Sequence, residues 1–351
     1  MASTLKILVL LLLLSATTFS HTVVDTLPGF PGKLPFKLQT GYIGVGKFQE
    51  VQLFYYFIES EKSPESDPLF LWLTGGPGCS ALSGILYEIG PFTINYANST
   101  GEIPSLELNQ YAWTKVANII FLDQPVGTGF SYSKTPEANN LSNDTLSAQL
   151  AYDFLIQWLL DNPKFLSNPL YIAGDSYTGI IIPQIVRKIY DGLESGIEPR
   201  LNMKVHLIST PFLASDKSIL GYVEGNPTTD KYADLNNRVV YAHRMGLLSD
   251  NLYEETIREW VRCNESLVYE FDGERTEAYI YDVQSTVDYH KSFTNKSCRV
   301  LIYSGDHDMV VPHLSTEEWI ESLEVGVEDE WRPWFVDDQV AGWIHHEVFA
   351  E

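Results

Sequence analysis

The chain is poor in cysteine, poor in positive charge, and has only one long apolar run. It holds three cysteines, Cys79, Cys263 and Cys298, among 351 residues. No CxxC pair or His/Cys cluster has zinc-ligand spacing, so no metal and no other cofactor is expected. Lysine and arginine total 23 against 46 acidic residues, a net charge of −23. So acidic a surface excludes nucleic acid as a natural partner. It fits a compartment of low pH, where part of the charge is neutralised, and equally fits plain solubility. Repeats and low-complexity linkers are absent. The apolar run Ile7 to Leu14 follows one cation, Lys6, and precedes small and polar residues, Ser15 to Thr18. It is shorter than the ~18–20 residues that span a bilayer. The layout is that of a secretory signal peptide over residues 1–20, leaving 21–351 as a single domain and no membrane association after cleavage.

Five N-x-S/T sequons, at Asn98, Asn140, Asn143, Asn264 and Asn295, agree with passage through the secretory pathway to an extracellular or vacuolar destination. Asn140 and Asn143 are too close for both to be expected to carry glycans.

Apolar runs at 68–73, 117–122, 170–173 and 300–304 read as strands buried on both faces. The β-rich pair 41–45 and 51–57 reads as a hairpin. Apolar residues at helical spacing (Leu146, Leu150, Phe154, Trp158) predict a helix over 144–162. Residues 231–259 also read as helix, broken near Ser249. Strands alternating with helices imply an α/β chain with a mostly parallel sheet covered on both sides.

One of those strands leads into Gly174-Asp175-Ser176-Tyr177-Thr178-Gly179. A strand, a tight turn with serine at its apex and an apolar helix-like segment make the context of a nucleophile elbow. The glycine-rich loop Thr74-Gly75-Gly76-Pro77-Gly78-Cys79-Ser80 follows another buried strand. Glycines there let backbone N–H groups approach a ligand, and the amides of Gly76 and Tyr177 are the expected oxyanion pair.

Four motifs occur in order: 71–80, 121–132 (Phe-Leu-Asp-Gln-Pro-Val-Gly-Thr-Gly-Phe-Ser-Tyr), 174–177, and 303–308 (Tyr-Ser-Gly-Asp-His-Asp). Together they resemble the plant serine carboxypeptidase-like family, over about Leu27 to Trp343. The resemblance implies an α/β-hydrolase fold and a Ser, Asp, His triad in chain order. Ser176 maps to the nucleophile and Asp308 to the acid, with Asp306 its rival. Glu88 and Asp175 map to the family's paired acids, which share a proton and bind a peptide's terminal carboxylate. Thr74 stands where the peptidases carry Asn, and Asp175 where they carry Glu. Both departures weaken a grip on a carboxylate and resemble the acyltransferase branch, in which an acyl group passes from a glucose ester to an alcohol. Thr74, Gly75, Glu88 and Asp175 are then the substrate-binding set. The partners implied are an acyl-glucose with an alcohol acceptor, or alternatively a peptide C-terminus.

The resemblance also implies a Cys79–Cys263 disulfide with Cys298 free. It implies a histidine in a Gly-His-Thr segment, beyond the segment at 331–336. None of the eight histidines stands in that context. His345 and His346 are expected in an exposed tail of a domain incomplete at its C-terminus. The family's lid insertion is expected to be reduced where 252–254 and 259–263 nearly join, and 205–218 to be an added stretch. A catalytically dead secreted glycoprotein is therefore a further reading.

Overall fold

A computed structural model describes residues 21–99, 103–135, 142–196, 199, 221–230, 279–293, 296 and 298–348, with isolated positions between 233 and 244. The expected stretch at 205–218 lies outside these residues, as does nearly all of the helix expected over 231–259.

The elements run β1 (His21–Val24), β2 (Leu38–Val45), β3 (Val51–Ile58), β4 (Leu69–Leu73), β5 (Phe92–Asn95), β6 (Ser105–Leu108), β7 (Asn118–Leu122), β8 (Tyr132–Ser133), α1 (Asp144–Asp161), β9 (Leu170–Asp175), α2 (Thr178–Glu194), β10 (Gly221–Gly225), α3 (Val287–Phe293), β11 (Arg299–Tyr303), α4 (His313–Glu321), β12 (Gly326–Val336) and β13 (Gln339–Val348). The central sheet has the order β1-β2-β3-β7-β4-β9-β10-β11, with β8 added against β3. Strands β7, β4, β9, β10 and β11 are parallel, and the β1–β3 end is antiparallel.

The apolar runs explain the middle of the sheet. Leu69, Leu71, Trp72, Leu73 and all of β7 are buried. Alternate residues serve opposite faces, as the period-two geometry of a strand requires. Leu71, Leu73, Ile120 and Ile172 join a core with Phe154 and Trp158 of α1 and Ile180 and Ile185 of α2. Trp72, Ile119, Phe121 and Ala173 join a second core with Ile85, Phe92 and Leu106. The Asn143 side chain caps α1, accepting from the Leu146 amide at 2.7 Å.

The chain leaves β4 for β7 on one side and later returns to β9 on the other. The β4/β9 seam is therefore a switch point, and loops after parallel strands gather there at the carboxyl edge.

Residues 326–348 differ from the expected tail. They form a separate antiparallel hairpin, β12–β13, through a turn at Asp337-Asp338 with φ of 48° and 61°. Two adjacent positive-φ residues make the primed turn whose twist suits a hairpin.

Candidate active site

Ser176 sits at φ 54°, a left-handed conformation that costs a non-glycine residue roughly 1–2 kcal/mol. Its surroundings impose it. The Ser176 N–H donates to the Gly225 carbonyl at 2.8 Å, and the Ser176 carbonyl accepts from Thr228 at 2.9 Å and Gly179 at 3.1 Å. A Cβ on Gly174 would fall 2.3 Å from the Leu73 carbonyl oxygen, so only glycine fits just before the turn. Behind the elbow the Tyr177 hydroxyl donates to buried Asp144, which also accepts from Tyr279 at 2.9 Å and the Val283 amide at 3.0 Å. That network fixes the side chain of Tyr177, whose amide is one of the two expected oxyanion donors.

The 74–80 loop crosses directly over the elbow. A Cβ on Gly75 would lie 2.7 Å from Ser176 Cβ and 3.0 Å from the Tyr177 nitrogen. The Gly75 N–H donates to Asp175 Oδ1 at 3.2 Å. The next amide is that of Gly76, at φ 123°. The loop is tied down by Asp123, which is fully buried at the end of β7. Asp123 accepts from Ser80 Oγ at 2.7 Å, the Ala81 amide at 2.8 Å and the Phe130 amide at 3.0 Å. A Cβ on Gly129 would fall 2.0 Å from Asp123 Oδ2, which accounts for the glycine in that motif.

Glu88 ends a π-helical turn, Gly84–Glu88. Its carboxyl accepts from the Trp72 indole at 3.1 Å. Burial, reinforced by the neighbouring charge of Asp175, pushes Glu88 up to about 7. Burial also raises Asp175, against the lowering effect of the Gly75 amide. Both shifts run the same way, so the pair readily holds a proton at acid pH, with Glu88 the more strongly raised. Thr74 is buried, and its hydroxyl is turned away from solvent with no protein partner.

Asp308 follows β11, two strands from β9, at about 10 Å between strand axes. Its Oδ1 accepts from Val310 at 2.6 Å and Val311 at 3.2 Å, folding the loop onto the carboxylate. Asn226 joins this loop to the elbow's neighbour: it donates to Ser304 Oγ at 3.2 Å and accepts from Gly305 at 3.1 Å. Asp306 is exposed, and its backbone carbonyl accepts from Tyr241 at 2.7 Å. Among the described histidines, His21 on β1 and His307, between Asp306 and Asp308, are exposed, and three others contact aromatic side chains. His290 is buried with Nδ1 2.5 Å from the Tyr222 hydroxyl, His313 faces the Tyr241 ring, and His345 packs on Trp331 at 4.1 Å.

The expected Cys79–Cys263 bridge is not seen among the described residues. Cys79 is a free, exposed thiol held against the Gly76 turn, where a Cβ on Gly76 would lie 3.0 Å from its sulfur. Cys263 lies outside the described residues, as do Asn140, Asn264 and Asn295. Cys298 is free. Asn98 is exposed in the turn after β5. Asn143 caps α1 through its oxygen, not the nitrogen to which a glycan attaches. Among the described residues no cluster of three or more acidic, histidine or cysteine side chains could hold a metal, and no helix is long and apolar enough to cross a membrane. Sequence reasoning missed Asp123, Asp144 and Asn226, which hold the site's loops in place; the signal available was their position just past a buried strand or at a helix start.

A family model described as serine carboxypeptidase matches residues 28–259 and 254–349. Serine carboxypeptidase-like 13 of Arabidopsis thaliana is 39% identical over 421 residues, covering 98% of this chain and 91% of the relative. Serine carboxypeptidase-like 7 of the same plant is 40% identical, covering 97% and 90%. Among solved structures, the prohormone-processing carboxypeptidase Kex1 of Saccharomyces cerevisiae aligns with a TM-score of 0.68 at 16% identity, over 89% of this chain and 84% of that one. That likeness gives the fold, an α/β-hydrolase. The matches and the four motifs agree, and the chain belongs to the serine carboxypeptidase family.

Proposed function

We propose that the chain transfers an acyl group from a glucose ester of the hydroxycinnamoyl type to an alcohol through an acyl-Ser176 intermediate. Ser176 Oγ attacks the ester carbonyl, the Gly76 and Tyr177 amides stabilise the developing oxyanion, and the sugar leaves carrying the proton lost by Ser176. The acceptor alcohol then attacks the acyl-enzyme, its proton replacing the acyl group on Ser176. Asp308 is assigned the role of orienting an imidazolium. The observation that carries the choice of acyl transfer over peptide hydrolysis is buried Thr74. Threonine carries no side-chain amide, so the position offers no amide donor for a peptide carboxylate. Secretion or vacuolar delivery and a glycan at exposed Asn98 are part of the same reading, on the leader-like 1–20 segment and the sequons.

The test is incubation with an acyl-glucose and a panel of alcohols. A new ester supports the reading; release of amino acids from blocked dipeptides at acid pH, with no ester, overturns it. A second reading, ligand binding without turnover, is favoured by the contacts of His290 with Tyr222, His313 with Tyr241 and His345 with Trp331, and by the lack of a histidine in the family's Gly-His-Thr context. Strong fluorophosphonate labelling of Ser176 would overturn that second reading.

A further inference from the structure

The inference rests on the acyl-ester reading and concerns Tyr303, to which neither the motif analysis nor the triad assigns a role. Tyr303 is the last residue of β11. In the parallel register Gly225 of β10 stands between it and Asp175 of β9. Gly225 has no side chain, and the phenol occupies the vacant space. A Cβ there would fall 2.3 Å from both Cζ and Oη of Tyr303. The ring therefore reaches from β11 back across β10, toward the Asp175 edge of the site. The residue keeps 39% of its surface exposed, so it borders the open side of the seam. Burial, then the charges of Asp175 and Glu88, push the hydroxyl well above the usual phenol range, which makes it a permanent donor.

We propose that Tyr303 is a substrate-recognition residue, its hydroxyl completing with Glu88 and Asp175 a three-group clamp for the sugar of an acyl-glucose donor beside Ser176. The donor and acceptor balance points to a sugar. Tyr303 donates, Asp175 accepts from the Gly75 amide and can accept again, and below pH about 7 Glu88 carries a proton to donate. Vicinal hydroxyls, each both donor and acceptor, satisfy such a mixed set. A peptide carboxylate accepts only, and the Asp175 charge opposes it.

The experiment is calorimetric binding of a hydroxycinnamoyl-glucose to the full chain, with the free hydroxycinnamic acid as the sugarless control. Tyr303→Phe keeps the ring and removes one donor. It is expected to weaken the ester roughly 3–10-fold and the free acid less than about twofold. Gly225→Ala, which pushes the ring aside while leaving the hydroxyl present, is expected to reproduce the selective loss. Unchanged ester binding by a folded Tyr303→Phe variant, or equal loss of both ligands, overturns the assignment. If the unmodified chain binds the ester and Tyr303→Phe binds it equally well, Tyr303 alone is wrong. If the unmodified chain does not bind the ester, the acyl-ester reading fails and the assignment with it.

Discussion

The β4/β9 seam and the β12–β13 hairpin are both rich in aromatic and glycine residues, yet they are built in opposite ways. At the seam, Trp72 is fully buried, its indole holds Glu88, and backbone approaches side chain so closely that Gly75 has no room for a methyl group. In the hairpin, Trp331, Trp334 and Trp343 are 51%, 46% and 62% exposed, and among the described residues its two strands pair only with each other. Close packing on all sides is what holds Ser176 in a conformation it would not choose alone. A lone hairpin has no such support, and His345 there is oriented by Trp331 rather than by the seam. The difference locates the chemistry in backbone geometry enforced by neighbours, and four variants sharpen it.

The largest effect is expected at Asp123. Replacing it with alanine strands the Ala81 and Phe130 amides and Ser80, and should cost roughly 3–5 kcal/mol in denaturant unfolding. Gly75→Ala should cost about 1–3 kcal/mol by overpacking and suppress Ser176 labelling far beyond that loss; normal labelling would show that the loop and elbow are not in contact. Glu88→Gln acts through pH. The Glu88 carboxyl goes from an ordinary 4.5 up to about 7 on folding, so the native state holds its proton more tightly. Its contribution to stability is present below about 4.5 and is lost as pH rises toward 7. Melting temperature across that window should therefore fall less steeply in Glu88→Gln than in the unmodified chain. Trp343→Ser, on the hairpin, should change stability by no more than about 0.5 kcal/mol. A large loss there would mean the hairpin is packed as the seam is.

Strands β4, β7 and β9 were legible in the sequence because burial in the middle of the sheet leaves uninterrupted apolar runs. The run at 300–304 also marks a strand, β11, but not the expected burial on both faces: β11 ends the sheet, and Val300, Leu301 and Tyr303 are exposed. The helix over 144–161 was legible from its spacing, whereas the Asn143 cap came only with the structure. Strand β10 was not. Gly-Tyr-Val-Glu-Gly begins and ends in glycine and carries a buried acid, Glu224, so it reads poorly as a strand. Its last glycine serves the site instead, offering its carbonyl to Ser176 and its empty face to Tyr303. The elbow and the glycine loop were readable from residue types alone. The Glu88–Asp175 pair came only through resemblance, since the two are far apart in the chain. The crossing of Tyr303 over β10 depends on register, which no local pattern encodes. The family match divides at 254–259, where the sequence reading puts the shortened insertion.

The most direct test of the central claim, that Ser176 is an acyl-accepting nucleophile, is intact-mass and peptide mapping of the chain after incubation with a hydroxycinnamoyl-glucose. The account expects one added acyl group on the peptide holding Ser176 and none in Ser176→Ala. Binding of the ester with no adduct, or an adduct on any other residue, would contradict it.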